Sequence, residues 1–332
     1  MHKLGRRGCH PHSGQRFKVG SQRYEFMGSL GDGAVGLVRK ARNLATNEIV
    51  AVKVLAPDPK YINEAAFDDV KRRFEREGRR GARLHSGNLV KIVAYEDNEG
   101  GSCFDGGVVK NPFIIMEYVR GCTLESLIKN MDSSSEWLTP THINKQTLSI
   151  ASYVSSALVY LHDRNVIHRD VKPANIFLSS SKVGAIPSEV KLGDFGVTKW
   201  GDFLATAASG SLTVTMQEGL GTLKYMSPEQ AVRPKDVTVR SDMFSLGITF
   251  FELFTGKILG SPHHVFEIMS ARSSRQGIMA KLVALGVKCP HEQVSVFELI
   301  LDMFLTSPKG RPSSAIVNGK MSYFLERLSE NG

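Results

Sequence analysis

The residues best suited to chemistry lie in two neighbouring segments of the chain. Residues 166–178 read VIHRDVKPANIFL and supply Asp170, Lys172 and Asn175, and a later segment opens with Asp194 in the triplet DFG. Phosphoryl transfer requires a carboxylate to orient the attacking hydroxyl, oxygen ligands for magnesium, and cations on the phosphates. The two segments together contain this set of groups, so their order and spacing predict phosphoryl-transfer chemistry.

A glycine cluster near the start of the chain has two interpretations. Residues 31–38 read GDGAVGLV, with Gly31, Gly33 and Gly36 in the spacing Gly-x-Gly-x-x-Gly. This pattern either opens a helix in a dinucleotide-binding unit or forms a hairpin that covers nucleotide phosphates. The dinucleotide form needs a helix directly after the third glycine, and the short distance to the apolar run that ends at Lys53 leaves no room for it. The hairpin is therefore favoured, because glycines let backbone amides approach phosphate oxygens closely.

The elements that must position these segments change in character along the chain. Before about residue 120 the pattern is β-like, and one long charged stretch, 63–84, is compatible with a helix. Helical apolar spacing then recurs in the stretches 124–129, 141–163, 242–255 and 294–305. A β-rich first third followed by a helical remainder predicts an α+β fold.

The motifs together resemble the eukaryotic-type (Hanks-type) serine/threonine protein kinase family in a bacterial-like form. Besides the two segments above, the resemblance rests on 221–229 (GTLKYMSPE), 240–247 (RSDMFSLG) and 308–312 (PKGRP), and it runs from about 24 to 325. Residues 166–178 resemble the catalytic loop of this family. Within them, Lys172 followed by Pro173 is similar to the serine/threonine version of that loop. Ser227 stands where the family usually has alanine, and Arg311 is expected to pair with Glu229.

The resemblance implies a two-lobed fold, with a small β-rich N-lobe that has one main helix and a larger helical C-lobe. We assign residues 19–327 to the kinase domain, with the N-lobe at about 19–118, the hinge at 117–121 and the C-lobe at about 122–327. Residues 1–18 are rich in His, Arg and Gly without periodicity, so they are interpreted as a flexible basic tail.

The resemblance also implies a role for each reactive group. Asp170 orients the acceptor hydroxyl and accepts its proton, Lys172 neutralises charge on the γ-phosphate, and Asn175 and Asp194 bind Mg²⁺. ATP is the phosphoryl donor, and serine or threonine of a protein substrate is the acceptor. His168 is expected to pack beneath the loop, because Asp170 already fills the role of the base.

The nucleotide site is implied in the same way. Lys53 matches the lysine that holds the α- and β-phosphates, and of two candidate partners on the following helix Glu77 fits better than Glu75. Met116 is expected behind the adenine, with the backbones of Glu117 and Val119 at its edge. The implied ATP-contacting residues are Gly31, Asp32, Gly33, Gly36, Val38, Ala51, Lys53, Glu77, Met116, Glu117, Val119 and Phe177.

The helix that carries Glu77 departs from the family pattern. Gly78 and Gly81 lie inside it, and each costs ~1 kcal/mol relative to alanine. Gly81 stands where the family usually has an apolar side chain. The sequence therefore predicts a weakly held helix whose docking controls activity. The same departure supports the runner-up function, a pseudokinase scaffold that binds nucleotide without transfer. A small-molecule kinase is the remaining enzyme alternative.

Regulation by phosphorylation is expected from Arg169, which precedes Asp170. Kinases with an arginine at this position are commonly switched by a phosphate in the activation segment, which neutralises the arginine and orders the loop. Thr213 and Thr215 are the candidate phosphosites. Autophosphorylation would involve a second copy of the chain, so the candidate partner for this step is that copy, in a homodimer.

The bulk properties suit a cytoplasmic protein. The chain has 332 residues, a formal net charge of +9 and four dispersed cysteines without metal-site or disulfide spacing. No stretch approaches the ~18 apolar residues of a membrane span, and the N-terminus lacks the apolar region of a signal peptide. A basic but ordinary surface accounts for the charge, so no specific nucleic-acid partner is expected.

Overall fold

The chain forms two compact units. The computed structural model describes residues 13–33, 36–56, 64–97, 111–131, 139–194, 224–259 and 275–330. The first unit contains the described residues up to 85 and those within 90–118, and the second contains 86–89 and the described residues from 119 onward.

The first unit is built on a six-stranded antiparallel sheet. Its strands are β1 (Arg16–Val19), β2 (Gln22–Asp32), β3 (Gly36–Asn43), β4 (Ile49–Leu55), β5 (Ile92–Glu96) and β6 (Phe113–Glu117), in the order β1-β2-β3-β4-β6-β5. Alternation along β4 sends Val50, Val52 and Val54 into a buried cluster together with Phe113 and Ile115. One face of the sheet therefore packs in the core, so the other face is available to polar side chains.

The predicted flexible tail ends earlier than residue 18. Residues 16–18 lie in β1, which pairs with β2, and the Phe17 side chain is buried. The Phe17 ring stacks on Tyr24 and Phe26 at centroid distances of 5.2 and 4.5 Å and meets Phe113 edge-on at 5.4 Å. Assigning these residues to a tail was wrong, because aromatic stacking holds this strand in the core. Residues 1–12 lie outside the described ranges.

One long helix, α1 (Glu64–Gly81), packs against the sheet next to β5. Its buried positions Val70, Phe74, Glu77, Gly78 and Gly81 repeat at helical spacing, so both glycines lie on the packed face. A Cβ atom on residue 78 would lie 2.6–2.8 Å from atoms of the Tyr95 side chain. The prediction that these glycines weaken the helix did not take this contact with Tyr95 into account. Gly78 permits a close approach to β5 that a larger residue would block.

The second unit is mainly helical. Its elements are β7 (Cys122–Thr123), α2 (Leu124–Met131), β8 (Thr139–Pro140), α3 (Lys145–His162), β9 (Ile176–Leu178), β10 (Val190–Leu192), α4 (Pro228–Val232), α5 (Val239–Thr255), α6 (Arg275–Ala284), β11 (Val287–Lys288), α7 (Val294–Met303) and α8 (Ser314–Glu330). Every residue of α5 from Ser241 to Thr255 is buried, as expected for a helix that is apolar on most sides and surrounded by others. The predicted α+β class is confirmed.

Short strands complete the second unit. β10, β9 and β7 form an antiparallel sheet, and the hairpin between β9 and β10 separates the two segments that carry the reactive groups. Across the described ranges, no helix combines the length and the hydropathy that a bilayer crossing requires.

The glycine contact on α1 gives a stability prediction. Gly78→Ala is expected to lower the free energy of unfolding by up to about 2 kcal/mol, because overpacking costs about 1–3 kcal/mol and outweighs the ~1 kcal/mol gained in helix propensity. Gly319→Ala in α8 is the matched control, since no described atom lies within 4 Å of a Cβ there. That variant should gain up to about 1 kcal/mol. Urea unfolding of both proteins measures the two signs, and a stabilised Gly78→Ala would contradict the contact.

Candidate active site

The glycine cluster forms a hairpin. β2 and β3 pair antiparallel up to Gly31–Val38 and Asp32–Leu37, and the Gly33 N–H donates to the Gly36 carbonyl at 2.8 Å. A strand, not a helix, begins at Gly36. The hairpin interpretation is confirmed, and the dinucleotide-binding alternative is excluded.

The glycines of the hairpin differ in what the protein itself requires of them. A Cβ on residue 36 would lie 2.2 Å from the Val54 carbonyl oxygen, so glycine is needed there for β3 to approach β4. A Cβ on residue 31 would meet no described atom within 4 Å, and one on residue 33 only the Gly36 oxygen at 3.7 Å. Internal packing therefore does not explain Gly31 and Gly33, which is compatible with the predicted approach of phosphate.

Arg39 on β3 binds two side chains of the neighbouring strand β2. Its Nη1 donates to the Ser29 hydroxyl at 2.9 Å and to the Asp32 carboxylate at 2.5 Å. The arginine side chain is 8% exposed, whereas that of Asp32 is 47% exposed. The guanidinium thus neutralises the carboxylate that lies inside the glycine cluster. Sequence reasoning missed this pair, although an arginine alternating with apolar residues in a strand is a detectable signal.

Lys53 pairs with Glu77. The Lys53 Nζ lies 2.8 Å from Glu77 Oε1, and the two side chains are 15% and 4% exposed. Glu75 instead accepts a hydrogen bond from Arg79 Nε at 2.8 Å in an exposed i,i+4 pair. The geometry therefore selects Glu77 from the two candidates. A buried lysine is retained only where an opposite charge compensates its desolvation, which this pair provides.

Several residues assigned to the ATP site share one face of the sheet. Val38 lies directly opposite Lys53 in the β3–β4 register, and Ala51 lies opposite Met116 in the β4–β6 register. Ala51 and Lys53 are two residues apart on β4, so all four side chains lie on the same face, opposite the core. Strand alternation alone brings these four predicted positions together.

Glu117 ends β6 with its amide already bonded. The Glu117 N–H donates to the Lys91 carbonyl at 2.9 Å, and its Oε1 accepts from the Lys91 N–H at 2.7 Å. This N–H is therefore already engaged, and the assignment of the Glu117 and Val119 backbones to the adenine edge stays a prediction. Val119 and Phe177 belong to the second unit, where both are half-buried and Phe177 lies on β9 opposite Thr123 and Lys191.

The catalytic-loop residues converge on the Asp170 carboxylate. Asn175 Nδ2 donates to the Asp170 carbonyl at 2.8 Å and to Asp170 Oδ2 at 2.5 Å. Lys172 Nζ lies 3.1 Å from the same Oδ2. Asp170 and Asn175 are buried. The Asn175 amide and the Lys172 ammonium therefore both lie on Oδ2 of the residue assigned as the proton acceptor.

The orientation of the Asn175 amide suits a magnesium ligand. Because its nitrogen faces Asp170, its oxygen is directed away from that carboxylate and is the atom that would hold a hard cation. The Gly193 N–H donates to the Asn175 carbonyl at 2.9 Å, so the residue directly before Asp194 is bonded to Asn175. The donor set of one amide and one carboxylate oxygen fits Mg²⁺. Phe195 and Gly196 lie outside the described residues.

His168 joins the two reactive segments. The Asp170 N–H donates to His168 Nδ1 at 3.3 Å, and His168 Nε2 lies 3.1 Å from the Gly193 carbonyl. A neutral imidazole with its proton on Nε2 satisfies both bonds. The ring is buried and both nitrogens are engaged by backbone groups of the two segments, which agrees with the predicted structural role.

A buried carboxylate from α5 holds the catalytic loop from below. Asp242 Oδ2 accepts from the His168 N–H at 2.8 Å, and Oδ1 accepts from the Arg169 N–H at 2.7 Å. His162 Nε2, at the end of α3, lies 2.9 Å from the same Oδ2. Arg169 adopts a left-handed φ of 68°, an uncommon conformation for a residue other than glycine. Asp242 therefore fixes the strained residue directly before Asp170.

The pair expected from the sequence between Glu229 and Arg311 is confirmed. Arg311 Nη1 and Nη2 donate to the two Glu229 oxygens at 2.6 and 2.9 Å, and the Ser241 hydroxyl donates to Oε1 at 2.7 Å. Burial acts to raise the pKa of Glu229, but the hydrogen bonds from Arg311 and Ser241 outweigh it and hold that pKa below its ordinary value. Both side chains are almost fully buried.

A second buried network lies where the described chain resumes at residue 224. Glu252 accepts from Lys224 Nζ at 2.6 Å, from the Tyr225 hydroxyl at 2.6 Å and from the Leu259 N–H at 2.8 Å. Burial, together with the neighbouring Glu252 charge, raises the pKa of Tyr225, so the phenol stays a donor. Sequence reasoning missed this network, whose signal is a glutamate inside the mostly apolar stretch 246–254. The candidate phosphosites Thr213 and Thr215 lie outside the described residues.

Comparison with known proteins identifies the family. A family model described as the protein kinase domain matches residues 24–323. The chain belongs to the protein kinase family. Serine/threonine-protein kinase PknB of Mycobacterium tuberculosis is 36% identical over 241 residues, which cover 71% of this chain and 33% of that protein. Serine/threonine-protein kinase PrkC of Bacillus subtilis is 33% identical over 238 residues, or 72% of this chain and 31% of that protein.

The chain spans about a third of the length of these curated relatives. The bacterial-like character expected from the sequence is confirmed by both. The solved kinase domain of M. tuberculosis PknI shares the fold, with a TM-score of 0.60 at 23% identity over 94% of this chain and 98% of that one. Membership of the kinase family implies the use of ATP, typically with Mg²⁺.

The Arg39–Asp32 pair predicts an effect on nucleotide affinity. Arg39→Met is expected to weaken MgATP binding about tenfold, because Asp32 loses its cationic partner next to the glycines. Isothermal titration with MgATP measures the change. Arg42→Met is the matched control, since it removes an ion pair with Glu25 from the same two strands. Adding Asp32→Asn to Arg39→Met should restore most of the affinity, and unchanged binding by Arg39→Met would refute the role.

The lowered pKa of Glu229 predicts a pH dependence of stability. A carboxylate with a depressed folded-state pKa stabilises the fold above its unfolded pKa of about 4.3, and this contribution is lost as the pH falls through the folded value. Glu229→Gln should therefore cost about 3–5 kcal/mol near neutral pH, because Arg311 stays buried without its partner charge. The difference in free energy of unfolding between this variant and the unsubstituted protein should shrink below about pH 4.3.

Urea unfolding between pH 7 and pH 3 measures this gap. Glu75→Gln is the control, because its exposed pair with Arg79 should contribute less than about 1 kcal/mol. A gap for Glu229→Gln that did not change with pH would show that the ionised carboxylate is not what stabilises the buried pair.

Proposed function

We propose that this chain is an ATP-dependent serine/threonine protein kinase. The observation that carries the proposal is the Asp170 carboxylate, with the Lys172 ammonium at 3.1 Å and the Asn175 amide at 2.5 Å on one oxygen. This is the arrangement expected of a group that orients a hydroxyl and accepts its proton beside a transferring phosphoryl group. The names of the relatives, which are serine/threonine-protein kinases, support the same reaction.

In the proposed reaction, the hydroxyl oxygen of a protein serine or threonine attacks the γ-phosphorus of ATP. The bond from that phosphorus to the β,γ-bridging oxygen breaks and ADP leaves, while the hydroxyl proton passes to Asp170. Lys172 neutralises charge on the γ-phosphate, and Lys53, oriented by Glu77, holds the α- and β-phosphates. Asn175 and Asp194 would hold Mg²⁺, which neutralises phosphate charge when bound.

The choice of serine and threonine rests on the catalytic loop. Lys172 and Pro173 follow Asp170 in the order typical of serine/threonine kinases, and Lys172 contacts the catalytic carboxylate. Thr213 and Thr215 are the proposed sites of autophosphorylation, and a second copy of the chain is the proposed partner in that step. The pseudokinase alternative had its support in the helix glycines, and the contact between Gly78 and Tyr95 supplies a structural reason for one of them.

The deciding experiment is labelling with γ-³²P ATP and Mg²⁺. The unsubstituted protein should label itself and generic protein substrates on serine and threonine. Asp170→Asn should lower the rate by more than about a hundredfold, because general-base catalysis typically contributes that much. Asp163→Asn, an exposed aspartate on the same loop, is the control and should keep full activity.

Each outcome has a distinct meaning. Peptide mapping should find label at Thr213 or Thr215, and replacing both by alanine should remove it. Equal activity of Asp170→Asn would overturn the assignment of the base. ATP binding without any labelling by the unsubstituted protein would favour the pseudokinase alternative, and turnover of a metabolite without peptide labelling would favour a small-molecule kinase.

A further inference from the structure

The peptide groups of Arg169 are held from two sides. Its N–H donates to Asp242 Oδ1 at 2.7 Å, and its carbonyl accepts from Gln230 Nε2 at 3.0 Å. The residue between these bonds has a left-handed φ of 68°, which disfavours a side chain larger than that of glycine by about 1–2 kcal/mol. External hydrogen bonds are therefore needed to keep this conformation, and Gln230 supplies one that sequence reasoning did not anticipate.

The Gln230 amide is oriented by Ser227. The Gln230 Oε1 accepts from the Ser227 hydroxyl at 3.2 Å and from the Ser227 N–H at 3.4 Å. The Gln230 N–H in turn donates to the Ser227 hydroxyl at 3.4 Å, which completes a capping box at the start of α4. With the amide oxygen fixed toward Ser227, the amide nitrogen must face the Arg169 carbonyl.

Burial makes this orientation consequential. Ser227 is 0% exposed and Gln230 is 5% exposed, so water does not compete for these bonds. A reversed amide would place its oxygen against the Arg169 carbonyl oxygen and leave buried acceptors unsatisfied, a cost that buried polar groups rarely bear. The orientation of the Gln230 amide therefore depends on Ser227, and the two side chains form one hydrogen-bonded pair.

We propose that Ser227 and Gln230 are positioning residues for the catalytic loop. They hold the Arg169 carbonyl so that the next residue, Asp170, presents its carboxylate in the reactive geometry. This role explains the serine at position 227, where the family usually has alanine. Alanine has no hydroxyl to orient the glutamine. This inference rests on the proposed kinase function and adds a connection from α4 to the base.

The test is a set of variants at the two positions. Gln230→Met keeps the shape of the side chain and removes the donor, and it should lower kcat about five- to tenfold, the effect of one hydrogen bond. Ser227→Ala should have a smaller effect of about threefold. The double variant should be no slower than Gln230→Met, because both changes break one unit. The KM for ATP should stay within about twofold, since Lys53 and Glu77 are unchanged.

Gln146→Met is the matched control. Gln146 is also buried, and its Nε2 donates to the Lys182 and Ala185 carbonyls in the loop between β9 and β10. This variant should lower the melting temperature without lowering kcat. A purely structural role for Gln230 would give the same pattern as the control and would overturn the proposal, as would losses from Ser227→Ala and Gln230→Met that multiply.

Hydrogen exchange supplies a readout that does not need activity. The amides of Arg169 and Asp170 should exchange faster in Gln230→Met than in Gln146→Met, because only the former loosens this peptide. Gln230→Glu, with a carboxylate oxygen facing the Arg169 carbonyl, repeats the test where Gln230→Met folds poorly. An inactive unsubstituted protein would count against the kinase function, whereas unchanged exchange at these amides would count against the positioning role by itself.

Discussion

The site depends on one buried carboxylate, that of Asp242. A carboxylate removed from water must be compensated by hydrogen bonds, and the N–H groups of His168 and Arg169 together with the His162 ring supply them. The same bonds determine where the catalytic loop lies. They connect the end of α3, the strained residue before Asp170 and the first turn of α5. Removing the charge would leave these donors unsatisfied and would release the backbone that presents the base.

The helix α5 attaches further segments of the second unit in the same way. Ser241, Ser245 and Glu252 recur at spacings that place them on one side of the helix. Ser241 donates to Glu229, Ser245 donates to the Tyr225 carbonyl, and Glu252 accepts from Lys224 and Tyr225. Residues 224–229 therefore run along this side. Burial of apolar side chains holds α5 in place. Its few polar side chains determine which neighbouring segments are hydrogen-bonded to it and at which positions.

Sequence reasoning was most successful where chemistry is carried by neighbouring residues. Asp170, Lys172 and Asn175 lie within six positions, so the spacing alone predicts that they share a site, and their contacts agree with that prediction. The partners of Arg39 and Gln230 are a hydroxyl, a carboxylate and a backbone carbonyl that only the folded chain brings near. The strand at Phe17 was missed for the same reason, because it is stabilised by stacking on Phe26 and by an edge-on contact with Phe113, which lie further along the chain.

Gly78 shows how a tertiary contact can reverse the meaning of a local preference. Helix propensity alone makes this glycine a weakness in α1, yet the missing side chain is what admits the Tyr95 ring against the helix. Glu77 is the adjacent residue on the same packed face, so the depth at which α1 sits on β5 also determines how far the Glu77 carboxylate lies from Lys53. A side chain at position 78 would push the helix outward and lengthen the 2.8 Å ion pair. The glycine that looks dispensable in an isolated helix is thus part of what orients the phosphate-binding lysine.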